Sequence, residues 1–176
     1  MAIINKIDVM YEHSFDPASK RHRINGIQSV LHCHHYTSLY TQLAIDAGET
    51  ELLTECARES FNTVLAGYLA NHEELDTLAA KVDICCQYYA LFGLGKMAVN
   101  FLGGDSGEVE LTSSHTDLGW IKKWGTFDKP VNYITAGFIE ALFEVVQDTA
   151  PRSFKAIEKQ SIVMGAETSV FTVVRR

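Results

Sequence analysis

The chain has 176 residues, and its 22 acidic and 15 basic side chains give a formal net charge of -7. A negative surface repels nucleic-acid phosphates and anionic lipid, so we expect neither as a partner. No apolar run approaches the roughly 20 residues that cross a bilayer, and the first residues lack a signal-peptide pattern. Length and composition therefore predict one globular domain over residues 1–176, located in the cytoplasm.

The four cysteines give no sign of a disulfide framework, since they lack zinc-finger spacing and two of them are adjacent. They are Cys33, Cys56, Cys85 and Cys86. Unpaired cysteines are among the most buried residue types, so free buried thiols are expected. A cysteine nucleophile would need a base at motif spacing, and the sequence offers none.

The first predicted element is an N-terminal strand and loop segment over residues 1–26, which is polar and rich in turn residues toward its end. From Ile27 to Ala47 no proline or glycine interrupts the chain, and Gly48 follows as a C-terminal cap. This pattern predicts a first long helix. Its apolar residues are spread around the helix, which favours a position near the centre of the fold.

Two helices and a hairpin are predicted next. One helix opens at Thr50, and another runs from about Glu74 to Phe92. Alternating apolar residues on either side of the glycine-rich turn Gly103–Gly107 then indicate a hairpin.

The C-terminal part is predicted to hold an irregular stretch, a fourth helix and a closing hairpin. The irregular stretch is Leu118–Gly125, and helical spacing returns from Val131 to Gln147. The hairpin follows from Phe154. Helices in one block with hairpins interleaved predict an α+β fold, in which an antiparallel sheet of two hairpins is covered by about four helices.

The sequence VNYITAGFIEALFEVV, followed by IEKQSIVMGAETSVFTVV, resembles the last helix and terminal hairpin of the 4-vinyl reductase-like domains. These domains share a fold with TRAPP vesicle-trafficking subunits and, more distantly, with haem-NO-binding domains. The order of predicted elements from about Ile27 onward agrees. The resemblance implies a TRAPP-subunit-like homodimer with a hydrophobic ligand, aromatic, fatty or tetrapyrrole-like, in a pocket between helices and sheet.

Many members of that family carry a zinc site made by three cysteines and a glutamate. The resemblance places its positions on Asn132, Glu158, Ser161 and Ser169, so only the glutamate is retained. Serine hydroxyls and an asparagine amide bind zinc too weakly to replace thiolates. We therefore expect this zinc site to be absent.

A second kind of metal site is suggested by the histidines of the first predicted helix. His32 and His35, three residues apart, would converge on one point, whereas adjacent His34 and His35 would diverge by about 100°. With His115 as a third ligand, the set would suit iron or zinc. The alternative is that these histidines are hydrogen-bonded inside the helix layer.

The candidate ligand-binding residues are polar or aromatic side chains placed among apolar ones. Imidazoles hydrogen-bond polar groups and titrate near neutral pH. Two tryptophans four residues apart would form either a wall or lid for a flat molecule, or a plain core or dimer contact. Tyr88 would line the same cavity. The candidates are His34, His35, Tyr36, Tyr89, Trp120 and Trp124.

Three functions remain open at this point. The first is a domain that binds a hydrophobic small molecule, and the second is an iron- or zinc-dependent enzyme that uses His32, His35 and His115. The third is a homodimeric interaction scaffold with a filled core and a large apolar face. The sequence does not decide whether the chain is an enzyme, because one fold hosts many functions.

Overall fold

The fold is an α+β arrangement of five helices and two antiparallel sheets, seen in a computed structural model that describes residues 9–30 and 32–176. Residues 1–8 of the predicted N-terminal segment, and Leu31 of the predicted first helix, lie outside these ranges. The predicted fold class is confirmed, although the sequence indicated four helices and a single sheet.

Three short strands near the N-terminus form the smaller sheet: β1 (His13–Asp16), β2 (Arg21–Ile24) and β3 (Ile27–Ser29). Asn25 and Gly26 make the turn between β2 and β3 with φ of 49° and 78°. Two positive φ angles define the hairpin turn that Asn-Gly favours. Because Ile27 pairs with Ile24 across this turn, the prediction of a helix starting at Ile27 is wrong.

The first helix, α1 (His34–Ala47), lies at the edge of the fold and not at its centre. Only one face, with Thr37, Ser38 and Thr41, is buried. Its larger apolar side chains, apart from Ile45, lie on the exposed side, which corrects the expectation of an enclosed helix. The small polar residues and Ile45 face the rest of the fold, where Ile45 packs against the cluster that contains Trp120.

Two further helices follow, α2 (Thr50–Ala70) and α3 (Leu78–Leu91). The Thr77 hydroxyl caps α3 by accepting a hydrogen bond from Ala80 N at 3.1 Å. This cap starts α3 four residues later than the predicted Glu74. The start of α2 agrees with the prediction.

The larger sheet has the order β4-β5-β7-β6, with every neighbouring pair antiparallel. It combines the two predicted hairpins, because β5 pairs with β7. The strands are β4 (Gly95–Leu102), β5 (Ser106–Ser114), β6 (Phe154–Gln160) and β7 (Ser169–Arg175), with a 3-10 turn at Ile162–Met164.

The stretch predicted as irregular is a helix, α4 (His115–Trp124). Its N-cap is Ser114, whose hydroxyl accepts a hydrogen bond from Asp117 N at 3.1 Å. Serine followed three residues later by an acidic residue is a helix-start signature. Ser114 and Asp117 therefore explain why a helix begins directly after β5.

The last helix, α5 (Tyr133–Val146), is almost wholly buried between α2 and the larger sheet. It approaches α2 at Gly137, where an added Cβ would lie 2.4 Å from Thr54 O. The main core surrounds α5 with fully buried rings, among them Tyr89, Phe138 and Phe143.

All four cysteines are free, but only two of them behave as predicted. Cys85 is fully buried and Cys86 half-buried in α3, whereas Cys33 and Cys56 are exposed.

Among the residues that the structure describes, no helix has the length and apolar character to span a membrane.

Candidate functional site

A cavity of about 480 Å³ lies between the N-terminal segment, α2 and α3. Residues 10–12, 25 and 27 form one wall. The opposite wall is the end of α2, from Thr63 to Asn71, with His72 directly after it and Tyr88 of α3 beside it. The volume lies within the range of roughly 300–1,000 Å³ that small-molecule pockets occupy.

Two tyrosines tie the walls of this cavity together. The rings of Tyr68 and Tyr88 meet edge to face, with centroids 4.8 Å apart. Tyr68 Oη accepts a hydrogen bond from Met10 N at 2.8 Å, and Tyr88 Oη accepts one from Asn25 Nδ2 at 2.7 Å. Within the described ranges neither hydroxyl hydrogen has an acceptor. Because each oxygen accepts, the hydroxyl hydrogen is the part of each group that can donate.

His72 adds a hydrogen-bond acceptor to the same wall. Its Nδ1 lies 2.8 Å from Tyr68 O, and because a carbonyl oxygen only accepts, Nδ1 carries the proton. In the neutral ring Nε2 is then an acceptor. The ring stacks on Tyr68 at a centroid distance of 4.0 Å, which fixes its plane.

The six predicted ligand-binding residues lie elsewhere. Tyr89 is fully buried in the core and shares a hydrogen bond of 2.9 Å with the Thr135 hydroxyl. Trp120 and Trp124 share a face of α4, as predicted, with ring centroids 4.5 Å apart; Trp120 is buried and Trp124 exposed. The remaining three are His34, His35 and Tyr36 in the first turn of α1.

The histidines do not meet in the predicted combination. His32 precedes α1, and its ring contacts the edges of Tyr36 and Tyr40, so the helical spacing between His32 and His35 does not apply. His34 and His35, expected to diverge, lie in the first turn of α1, and their rings stack with centroids 4.4 Å apart. In the described part of the chain, no group of three histidine, cysteine or acidic side chains is arranged to hold a metal ion.

His115 does lie near one of these histidines. Its ring centroid is 6.2 Å from that of His34, across the contact between α1 and α4. His115 Nε2 is buried, and no partner for it is found among the described residues. The same is true of Ser38 Oγ, Thr41 Oγ1 and Trp120 Nε1 at this contact.

The four family zinc positions do converge, and they surround a carboxylate that the sequence reading did not single out. Asp117 is fully buried. Its Oδ2 accepts hydrogen bonds from Asn132 Nδ2 at 2.7 Å and Ser169 Oγ at 3.1 Å. Its Oδ1 accepts from Ser161 Oγ and Val163 N, both at 3.2 Å.

Asn132 joins this carboxylate to a second one. Its Nδ2 also donates to Glu158 Oε1 at 2.8 Å, while its Oδ1 accepts from Ser114 Oγ at 2.7 Å. Burial, together with the nearby charge of Asp117, raises the pKa of Glu158 from 4.5 to about 7. Asn132 thus uses both amide hydrogens on acidic side chains.

The sequence contains a local signal for Asp117, because Ser114-x-x-Asp117 marks the start of α4. It contains less information on the cavity. Tyr88 is a predicted lining residue, whereas the positions of Tyr68 and His72 depend on how the end of α2 faces the N-terminal segment, which is distant in the sequence. Such long-range packing leaves no local pattern.

Comparison with known proteins gives similarity in structure without similarity in sequence. No family model matches the chain, and no curated protein sequence matches it significantly. The phenol-responsive sensory domain of the transcription activator PoxR, solved with phenol, superposes with a TM-score of 0.77 at 11% identity, over 93% of this chain and 84% of that one.

Two other solved structures share the fold. Trafficking protein particle complex subunit 3 from Naegleria fowleri, covalently bound to palmitic acid, has a TM-score of 0.54 at 14% identity, over 81% of this chain and 91% of that one. A vinyl-4-reductase family protein from Methanocaldococcus jannaschii has a TM-score of 0.53 at 14% identity, over 84% of each chain. The fold expected from the C-terminal resemblance is confirmed.

Proposed function

We propose that this domain binds a hydrophobic small molecule in the cavity between the N-terminal segment, α2 and α3. The observation that carries the proposal is the cavity itself, of about 480 Å³, with the rings of Tyr68 and Tyr88 in its wall. Apolar cavities with a few oriented polar groups are the usual form of small-molecule sites. The ligands of the PoxR and trafficking-subunit structures, phenol and palmitic acid, support the general class.

The polar groups of the wall indicate what such a ligand carries. The Tyr68 and Tyr88 hydroxyls offer hydrogen-bond donors, and His72 Nε2 offers an acceptor. A ligand with an apolar body and one small polar group, either a hydroxyl or a carboxyl, satisfies these atoms. Aromatic and fatty ligands both meet this description.

The proposal is tested by titrating 4-ethylphenol and octanoate into the purified chain and following backbone amide NMR shifts. We expect saturable shifts at Tyr68, Asn71 and His72. Val64→Trp, which fills the cavity from α2, is expected to weaken binding at least tenfold. Leu52→Trp, on an exposed part of the same helix, serves as the matched control. Saturable binding that is equal in all three proteins would place the ligand elsewhere, and no binding of either probe would count against the proposal.

We further propose that the chain is a homodimer that uses α1. Tyr36, Leu39, Tyr40 and Leu43 are between 42% and 56% exposed, and their spacing places them on one face of the helix. An exposed apolar stripe of this kind is typical of an interaction surface. Light scattering after gel filtration should give twice the chain mass, and Leu39→Lys combined with Leu43→Lys should give the monomer mass.

The metal-dependent alternative rests on one observation, the buried and unpartnered Nε2 of His115 beside His34. Elemental analysis of protein purified without oxygen tests it. One equivalent of iron or zinc that disappears in His115→Ala would support this alternative, and less than a tenth of an equivalent in the unaltered chain would reject it.

A further inference from the structure

The zinc site that the fold family implies is matched here by a donor set of a different kind. The side chains at its four positions are an amide, a carboxyl and two hydroxyls, from Asn132, Glu158, Ser161 and Ser169. Zinc sites in proteins are built from thiolate and imidazole ligands, with carboxylates in addition. The residues present do not fit a structural zinc ion.

The hydrogen-bond donors of Asn132, Ser161 and Ser169 all point toward the carboxylate of Asp117. Asp117 receives four hydrogen bonds, from the Asn132 amide, the Ser161 and Ser169 hydroxyls and the Val163 backbone amide. Hydrogen-bond donors that all point at one carboxyl group stabilise its negative charge. No cationic side chain pairs with Asp117 within the described ranges, so these neutral donors hold the carboxylate.

The backbone of α4 adds to this stabilisation. Asp117 lies in the first turn of the helix, three residues after its N-cap Ser114. The unpaired amides at a helix N-terminus favour a negative charge in this turn. The charge is therefore placed where both the helix and its neighbours lower its energy.

The donors come from separate parts of the chain. Asn132 is the N-cap of α5, Ser161 and Val163 follow β6, and Ser169 starts β7. Ser169 Oγ also accepts from Ile162 N at 2.9 Å, which closes the end of the hairpin. One side chain of α4 thus fixes the start of α5 and the end of the β6–β7 hairpin.

We propose that the Asp117 carboxylate takes the place of a metal ion in joining α4 to the start of α5 and to the β6–β7 hairpin. The group at the centre is then an anion instead of a cation. The closing hairpin is then held by an anion that neutral donors surround, and its position does not depend on zinc. The position of the hairpin depends instead on the two oxygens of one side chain.

Thermal unfolding with and without a strong zinc chelator tests the first part. The unfolding midpoint is expected to be the same with the chelator, with added zinc and without either. One tightly bound equivalent of zinc that is retained in His115→Ala, or a fall in the midpoint of that variant when the chelator is present, overturns the proposal.

Asp117→Asn tests the second part, because it keeps the shape of the side chain and turns one acceptor into a donor that faces other donors. We expect the unfolding midpoint to fall by roughly 5 to 10 °C, and the Val163 amide to exchange its hydrogen at least tenfold faster. Asp105→Asn, at an exposed hairpin turn, is the matched control and should change neither quantity.

Ser161→Ala provides a second variant, since it removes a single donor and leaves the carboxylate in place. It should accelerate exchange of the Val163 amide by a smaller factor than Asp117→Asn. Unchanged stability and unchanged exchange at Val163 in both variants would overturn the proposal.

Discussion

The Glu158 carboxyl accepts a hydrogen bond of 2.8 Å from Asn132, whose other amide hydrogen goes to the buried carboxylate of Asp117. Two acidic side chains therefore share one neutral donor group. Burial of the Glu158 carboxyl is the main reason why its pKa rises to about 7, and the nearby negative charge of Asp117 adds to this effect.

Stability is expected to fall as the pH rises from 4.5 toward 7. In this window folded Glu158 keeps a proton that the unfolded chain has released, so the free energy of unfolding decreases with pH and levels off above about pH 8. The contribution reaches up to about 3 kcal/mol. Tyr89 and Tyr133 also lie near Glu158, and burial raises the pKa of both, so they remain protonated throughout.

Urea unfolding of Glu158→Gln at pH 5 and pH 8 isolates this effect. Glutamine can accept the Asn132 hydrogen bond but does not titrate. Relative to the unaltered chain, the variant should therefore gain stability between pH 5 and pH 8. Parallel pH dependences of the two proteins would contradict the assignment to Glu158.

Gly137→Ala should destabilise the chain, because its Cβ would lie 2.4 Å from Thr54 O and 2.7 Å from Arg58 N, both backbone atoms of α2. The two helices have to separate to admit it. We expect a loss of about 2 kcal/mol in the free energy of unfolding, measured with urea. Gly67→Ala on α2 is the control, since among residues 9–30 and 32–176 no atom beyond its own stretch of helix lies within 4 Å of its added Cβ. Helix propensity there favours alanine by up to about 1 kcal/mol.

The ion pair between Arg58 and Glu144 is another point at which α2 and α5 depend on each other. Arg58 Nη1 lies 3.1 Å from Glu144 Oε2, and both side chains are buried. Arg58→Met should cost about 3–5 kcal/mol because it leaves the carboxylate without its cation. The double variant Arg58→Met with Glu144→Leu should recover part of this loss. Additive effects in the double-mutant cycle would show that the pair is not coupled.

The cysteines should react in two groups. Cys33 and Cys56 are exposed, whereas burial raises the pKa of the Cys86 thiol to about 12 and that of Cys85 still further. Because the thiolate is the reactive form, iodoacetamide near pH 8 should label the first two rapidly and the α3 pair only after unfolding. Peptide mass spectrometry identifies the labelled sites, and rapid labelling of Cys85 in the native chain would be inconsistent with this structure.

Local patterns were enough to predict most of the larger α+β unit. The period of 3.6 residues located α2, α3 and α5, and alternation located the strands of the four-stranded sheet. The failures have local causes too. Asn25-Gly26 is a strong hairpin signal, but it lies in a polar stretch that also favours a loop, so the prediction joins β3 to α1. Ser114-x-x-Asp117 is a capping signal, but the glycines at positions 119 and 125 favour an irregular stretch over α4.

The candidate site could be predicted only in part, for a different reason. The C-terminal resemblance assigns Asn132, Glu158, Ser161 and Ser169 to one site, and these residues lie on neighbouring elements, the start of α5 and the β6–β7 hairpin. Asp117, which accepts hydrogen bonds from Asn132, Ser161 and Ser169, lies in α4, a helix that the sequence analysis does not predict. The cavity lies where the N-terminal sheet meets α2, and no periodicity in either segment encodes that contact.

The tyrosines of the cavity serve the N-terminal segment as well, since the same hydroxyls accept hydrogen bonds from Met10 and Asn25. A hydroxyl that donates a hydrogen bond to a ligand becomes a better acceptor, because successive hydrogen bonds polarise one another. On the proposed function, we therefore expect a bound ligand to tighten the attachment of the amino-terminal segment, and this attachment to strengthen ligand binding. Such coupling would act by the same factor in both directions.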